Sequence, residues 1–130
     1  MRPGAAEVAT LSSVTPKFAG TADYAQGTVA VTLAGAIDLS NKQKIDELLR
    51  AVHQAARSHA AQEVIMDVRK LEFMNSSCLK MFVAWFDTIQ ELPLDAQYRI
   101  VFVSSPEMVW QERSLLALSC LAPGLVSIER

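Results

Sequence analysis

The chain has 130 residues, of which 51% are hydrophobic and 20% charged, values that fit one globular domain with its own core and do not fit a disordered segment. A formal net charge of −2 leaves no excess of Lys and Arg to neutralise a phosphate backbone or an anionic lipid surface, which argues against nucleic acid and membrane as partners. The apolar runs fall short of the ~20 residues that span a bilayer and the first residues lack the apolar stretch of a signal peptide, so a soluble, cytoplasmic protein is expected.

Cys78 and Cys120 lie far apart without metal-type spacing, so neither a disulfide framework nor a metal or other cofactor is expected. Residues 1–16, rich in Ala, Ser, Thr and Gly with prolines at 3 and 16, read as a mobile leader, with order from about Lys17 and one domain over 17–130. "KFAGTADY" and "GTVAVTLAGAI" follow as two strands joined through Ala25-Gln26-Gly27; Val29, Val31 and Leu33 alternate with small residues.

Ser40 and Gln43 have the spacing of a capping box. The helix they would open carries Ile45, Leu48, Leu49, Val52 and Ala56 on one face and Lys42, Asp46, Glu47, Arg50 and Arg57 on the other. "EVIMDVRKL" at 63–71 reads as a buried strand. Asn75-Ser76-Ser77 then leads into a helix with Leu79, Phe82, Val83 and Phe86 inward, and Pro93 closes it. "YRIVFVSS" at 98–105 is another buried strand, Pro106 suits the first turn of a third helix running to about Ser119, and "GLVSIE" from Gly124 is a last strand. The order β-β-α-β-α-β-α-β, with helices as crossovers, predicts an α/β fold with a mixed, mostly parallel β-sheet covered by α-helices.

Within that order, "FMNSSCLK" at 73–80 and "GAID" at 35–38 resemble two loop motifs of the STAS domains, most closely of the anti-sigma factor antagonists, F-M-D-S-S-G-L-G and G-E-L-D. The order of strands and helices from about residue 17 to 129 is similar as well. The resemblance implies a non-catalytic regulatory domain that binds a protein kinase acting as an anti-sigma factor, or a related regulator. In the family, the first serine of the loop is phosphorylated by that kinase and restored by a phosphatase. By position the phosphoacceptor is Ser76, Ser77 matches the second hydroxyl residue, and Asp38 matches the acidic residue of the other loop. Asn75 stands where the family loop has an acidic residue, and Cys78 and Lys80 stand where it has glycines.

Local chemistry offers simpler roles for the same residues. A serine at a helix N-terminus caps an unpaired amide, and a site capped by a hydroxyl also tolerates phosphate there. Asp38 suits a cap as well as a place beside the acceptor, and Lys80 suits solvent as well as neutralising a phosphoserine. Cys78 reads as a small buried residue. An enzyme using Ser76 or Cys78 as nucleophile lacks a G-x-S-x-G elbow and an identifiable base, since His53 and His59 read as surface residues. A domain that is never phosphorylated, serving as a scaffold in a larger signalling complex, is the alternative within the binding class. Met81 and Trp85 widen the apolar stripe of the second helix, which suggests a partner contact continuing from Asp38, Asn75, Ser76, Ser77 and Lys80. Cover by a neighbouring helix would instead return Trp85 to the core.

Overall fold

Two residues with positive φ, Gln26 at 50° and Gly27 at 85°, close a tight hairpin between β2 (Phe18–Ala25) and β3 (Thr28–Ile37), with the handedness that matches the twist of paired strands. The computed structural model describes residues 11–14 and 17–129. Of the leader expected over 1–16, Leu11–Val14 lies within the described residues, and it corrects the expected start of order near Lys17. It forms an edge strand, β1, antiparallel to β2 over Ala19–Ala22. Residues 1–10 and 15–16 lie outside the described residues.

After β3 the chain alternates: α1 (Lys42–Ser58), β4 (Glu63–Met74), α2 (Leu79–Gln90), β5 (Arg99–Val103), α3 (Val109–Leu121) and β6 (Val126–Glu129). The sheet order is β1-β2-β3-β4-β5-β6, antiparallel over its first two pairs and parallel over the last three. The expected mixed, mostly parallel sheet is therefore present, with β1 added at one edge. Each parallel return steps one strand in the same direction, and a uniform crossover hand then places the helices on one face. They lie there side by side, α2 between α1 and α3. The opposite face shows Ala19, Thr21, Asp23, Ala30 and Thr32 to solvent.

Alternation supplies the core between the two layers. Val29, Val31 and Leu33 of β3, Val64, Met66 and Val68 of β4, and Ile100 and Phe102 of β5 meet Ile45, Leu48, Leu49, Val52 and Ala56 of α1 and Phe82, Phe86 and Ile89 of α2. Leu79 and Val83 pack against that core while only partly buried. The third helix starts at Val109 rather than in a first turn at Pro106, because Ser105 holds a turn there: its carbonyl accepts from the Met108 amide (3.1 Å) and its hydroxyl from the Glu107 amide (3.3 Å).

Two irregularities position the ends of β3 and β4. Gly35 has φ +93°, and a Cβ there would lie 2.1 Å from the Lys17 carbonyl oxygen, which accepts instead from the Ala36 amide at 2.8 Å. Only glycine fits so close a backbone crossing. The β3–β4 register shifts between Thr32 and Ala34 and again after Gly35, and the β4–β5 ladder ends at Asp67 opposite Val103, so among the described residues β4 has no strand on that side beyond Asp67. Gln111, fully buried at the start of α3, donates from Nε2 to the Val68 carbonyl (2.6 Å) and the Leu71 carbonyl (3.0 Å). Its Oε1 accepts from the Ser105 amide at 2.9 Å. Trp110 Nε1 also donates to the Leu71 carbonyl, at 3.1 Å. β4 runs three residues past the expected Leu71, to Met74, paired there with Ala36 and Ile37 of β3.

Candidate functional site

The carboxyl ends of β3 and β4 lie next to each other, as parallel strands joined by a crossover require, and each is followed by a short 3-10 turn: Leu39–Asn41 after β3 and Ser76–Cys78 after β4. The Asn75 amide donates to the Ile37 carbonyl at 2.8 Å, tying the second turn to the end of the first strand.

In the first turn Asp38 Oδ1 accepts from the Ser40 amide at 2.9 Å and from the Ser40 hydroxyl, and its Oδ2 meets Lys17 Nζ at 3.2 Å. These donors, Ser40 before Lys17, hold the carboxyl at about 2 rather than 3.8, because each favours the ionised form. Asn41, 2% exposed, accepts from the Asp38 amide (2.9 Å) and donates to the Ala36 carbonyl (2.9 Å). The reciprocal box is thus Asp38 with Asn41, which corrects the expected pairing of Ser40 with Gln43. The intervening 3-10 turn moves the helix entry upstream, and Gln43 reaches Glu47 Oε2 at 3.4 Å instead.

The second turn follows the same plan with a neutral cap. Asn75 Oδ1 accepts from the Ser77 amide at 2.8 Å, and its carbonyl accepts from the Cys78 amide at 2.9 Å. Capping by Ser76 or Ser77 is therefore corrected, since the residue before them already fills that role. Both serines are exposed, and among the described residues neither hydroxyl makes a hydrogen bond. Lys80 is exposed one turn further on.

Cys78 is wholly buried, and burial pushes its thiol pKa up, with the charges of Lys42 and Asp38 close enough to act on it. A protonated, buried thiol is a packing residue and a poor nucleophile. Met81 and Trp85, 8% and 5% exposed, join the core, so the apolar stripe does not extend outward as a large exposed patch. Trp85 Nε1 donates to the Tyr98 hydroxyl at 2.8 Å, and that hydroxyl is 2.5 Å from His53 Nδ1. The surface reading of the histidines is corrected with it. His53 is half-buried, and burial lowers its pKa; His59 is half-buried and stacked on Tyr24 with ring centroids 4.1 Å apart. Asn41, Tyr98 and Gln111 escaped the sequence reading; Asn41, directly before an amphipathic helix and three after an Asp, carried a capping signal that could have found it.

Among the described residues no cluster of His, Cys, Asp or Glu is placed to hold a metal ion, and no helix is long and apolar enough to cross a membrane. The family model of the STAS domain matches residues 21–111, which contain both turns, and the chain belongs to the STAS domain family. No curated protein matches it by sequence. The fold is similar to that of an anti-sigma factor antagonist from Mycobacterium paratuberculosis, at 17% identity and a TM-score of 0.63, over 90% of each chain. It is also similar to the anti-sigma factor antagonist SpoIIAA in its unphosphorylated form, at 18% identity and a TM-score of 0.54, over 94% of this chain and 89% of that one. A third neighbour is a protein of the DUF3478 family with a SpoIIAA-like fold from Shewanella loihica PV-4, at 13% identity and a TM-score of 0.55, over 91% of this chain and 89% of that one. At these identities the likeness is one of fold.

Proposed function

We propose that the protein is a non-catalytic regulatory module that binds a protein partner through the turns at 35–40 and 74–80, with Ser76 as a phosphoacceptor whose modification weakens that binding. The exposed, unbonded hydroxyl of Ser76 carries the reading: Asn75 does the capping, so Ser76 is left for another protein to reach. Asp38 on the neighbouring turn and Lys80 one helical turn further on bring one charge of each sign to this end of the sheet. A phosphate adds about −2 of charge to a contact formed around a neutral serine, and like-charge repulsion and desolvation of a few kcal/mol are ample to empty it. The partner is of the anti-sigma factor or protein kinase type, with a phosphatase restoring the free serine, and the place of action is the cytoplasm. Asp38, Asn75, Ser76, Ser77 and Lys80 form the contact, whereas Met81 and Trp85, buried in the core, take no part in it.

Two measurements test this. Mass spectrometry of protein isolated from its own cells should find phosphate on Ser76, and calorimetry should give Ser76→Asp a lower affinity than Ser76→Ala for the partner that copurifies. Equal affinities would defeat the switch, and a Ser76 unmodified under all growth conditions would leave a constitutive scaffold in its place.

A further inference from the structure

We propose that the groove between α1 and α2 is a binding site for a small carboxylate with an apolar body, separate from the two turns. The groove has a volume of about 280 Å³ and is lined by Asp46, Leu49, Arg50, His53, Met81, Ala84, Trp85 and Thr88. Leu49, Met81, Ala84 and Trp85 supply the apolar lining, and the polar groups are few and specifically placed, the usual constitution of a ligand site.

A chain of hydrogen bonds fixes the chemistry His53 offers. An indole N–H only donates, so the Tyr98 hydroxyl accepts from Trp85, and its own proton is free to be donated to His53 Nδ1 when the ring carries its proton on Nε2. In that tautomer Nδ1 is the acceptor and Nε2 carries a proton as a donor. Burial lowers the pKa of the ring, in keeping with that neutral form. Arg50 lies one helical turn before His53. Its Nε is held by Asp46 Oδ2 at 2.9 Å, and among the described residues its terminal NH2 groups meet no acceptor. An Arg oriented in this way presents donors that suit a carboxylate.

The sign of the charge around the groove agrees. Arg57 is close enough for its charge to oppose protonation of His53, so Arg50 and Arg57 outweigh Asp46. A second groove, lined by Leu39, Lys42, Gln43, Asp46 and Met81, shares Asp46 and Met81 with the first and adds Lys42. An anion is favoured over a cation, and the volume limits the ligand to about ten to fifteen non-hydrogen atoms.

The indole signals of Trp85 and Trp110 provide the test. Trp110 donates to the Leu71 carbonyl, away from the groove, and serves as an internal control. In 15N-labelled protein, phenylacetate and hexanoate should shift the Trp85 N–H saturably, with Kd below about 5 mM, and leave Trp110 in place. Phenylacetamide and phenethylamine should bind at least about fivefold more weakly, and Arg50→Gln should weaken phenylacetate by a similar factor. Arg50 is exposed, so the variant should fold; an unshifted Trp85 signal in its unliganded spectrum verifies that the Tyr98 and His53 bonds remain. Absence of a saturable Trp85 shift with both carboxylates overturns the proposal, as do equal affinities for phenylacetate and its amide or for wild type and Arg50→Gln.

Discussion

After β3 the charged carboxylate of Asp38 caps a 3-10 turn and is held by Ser40 and Lys17; after β4 a neutral oxygen of Asn75 caps one, and among the described residues the hydroxyls of the two serines that follow make no hydrogen bond. The backbone problem is the same in both places: a strand ends, free amides point out of the coming helix, and a short side chain must accept from the residue two positions on. The hydroxyl in the first turn is spent on the cap, whereas in the second it is not. In the second arrangement local stability does not depend on the serine hydroxyls, so a change at either serine leaves the cap in place.

The comparison breaks most severely where each turn is anchored. Gly35→Ala should cost about 3 kcal/mol or more, because it combines positive φ with a Cβ pressed on the Lys17 carbonyl, and the first turn should lose its place. Urea melts measure the loss; a cost below about 1 kcal/mol would mean that the strand crossing yields easily. Gln111→Leu should cost about 2–3 kcal/mol by leaving the Val68 carbonyl without its donor and the Ser105 amide without its acceptor, while Trp110 still serves the Leu71 carbonyl. Amide exchange in 73–78 should speed up more than exchange at Asp38, since Gln111 holds β4.

Smaller effects sharpen it. Asn75→Ala should cost about 1 kcal/mol and Asn75→Asp almost nothing, because a carboxylate accepts from the Ser77 amide as the carboxamide does. If the two variants melt alike, the Asn75 cap contributes nothing. The smallest difference is in acid. The Asp38 carboxyl titrates at about 2 in the fold against 3.8 otherwise, so between those values the unfolded chain binds more protons. The stabilisation is complete above the unfolded value and is lost as pH falls through about 2. Asp67, lowered by Arg69, adds a contribution of the same sign. Asp38→Asn should therefore flatten part of the acid limb of a stability-against-pH curve, and Asn75→Ala should leave its shape unchanged.

Much of the fold was legible because it depends on neighbours along the chain. The alternation through Val29, Val31 and Leu33, the helical spacing from Ile45 to Ala56, and the turn at Gln26-Gly27 each register a periodicity or a local preference. The edge strand at Leu11–Val14 was not legible, since its backbone partners sit on β2 and its own pattern is weak. Trp85 was ambiguous for a related reason: a helical wheel shows how wide an apolar stripe is, while what covers its margin depends on Tyr98 and on α1.

The amino-acid sequence by itself determined the order of elements from β2 onward, the inward residues of β3 and of α1, and the two loop motifs that mark the family. Tertiary structure decided which oxygen caps which turn, that Ser76 and Ser77 stay exposed, and that His53, Tyr98 and Trp85 share one chain of hydrogen bonds. It also decided that Gln111 serves a strand some forty residues before it. The division has one physical cause. Periodicity and capping preference are written in residues a few positions apart, whereas a buried polar group is satisfied by whatever the fold brings to it, and the partners of Gln111 and Tyr98 become neighbours only once the sheet and its helices have closed on each other.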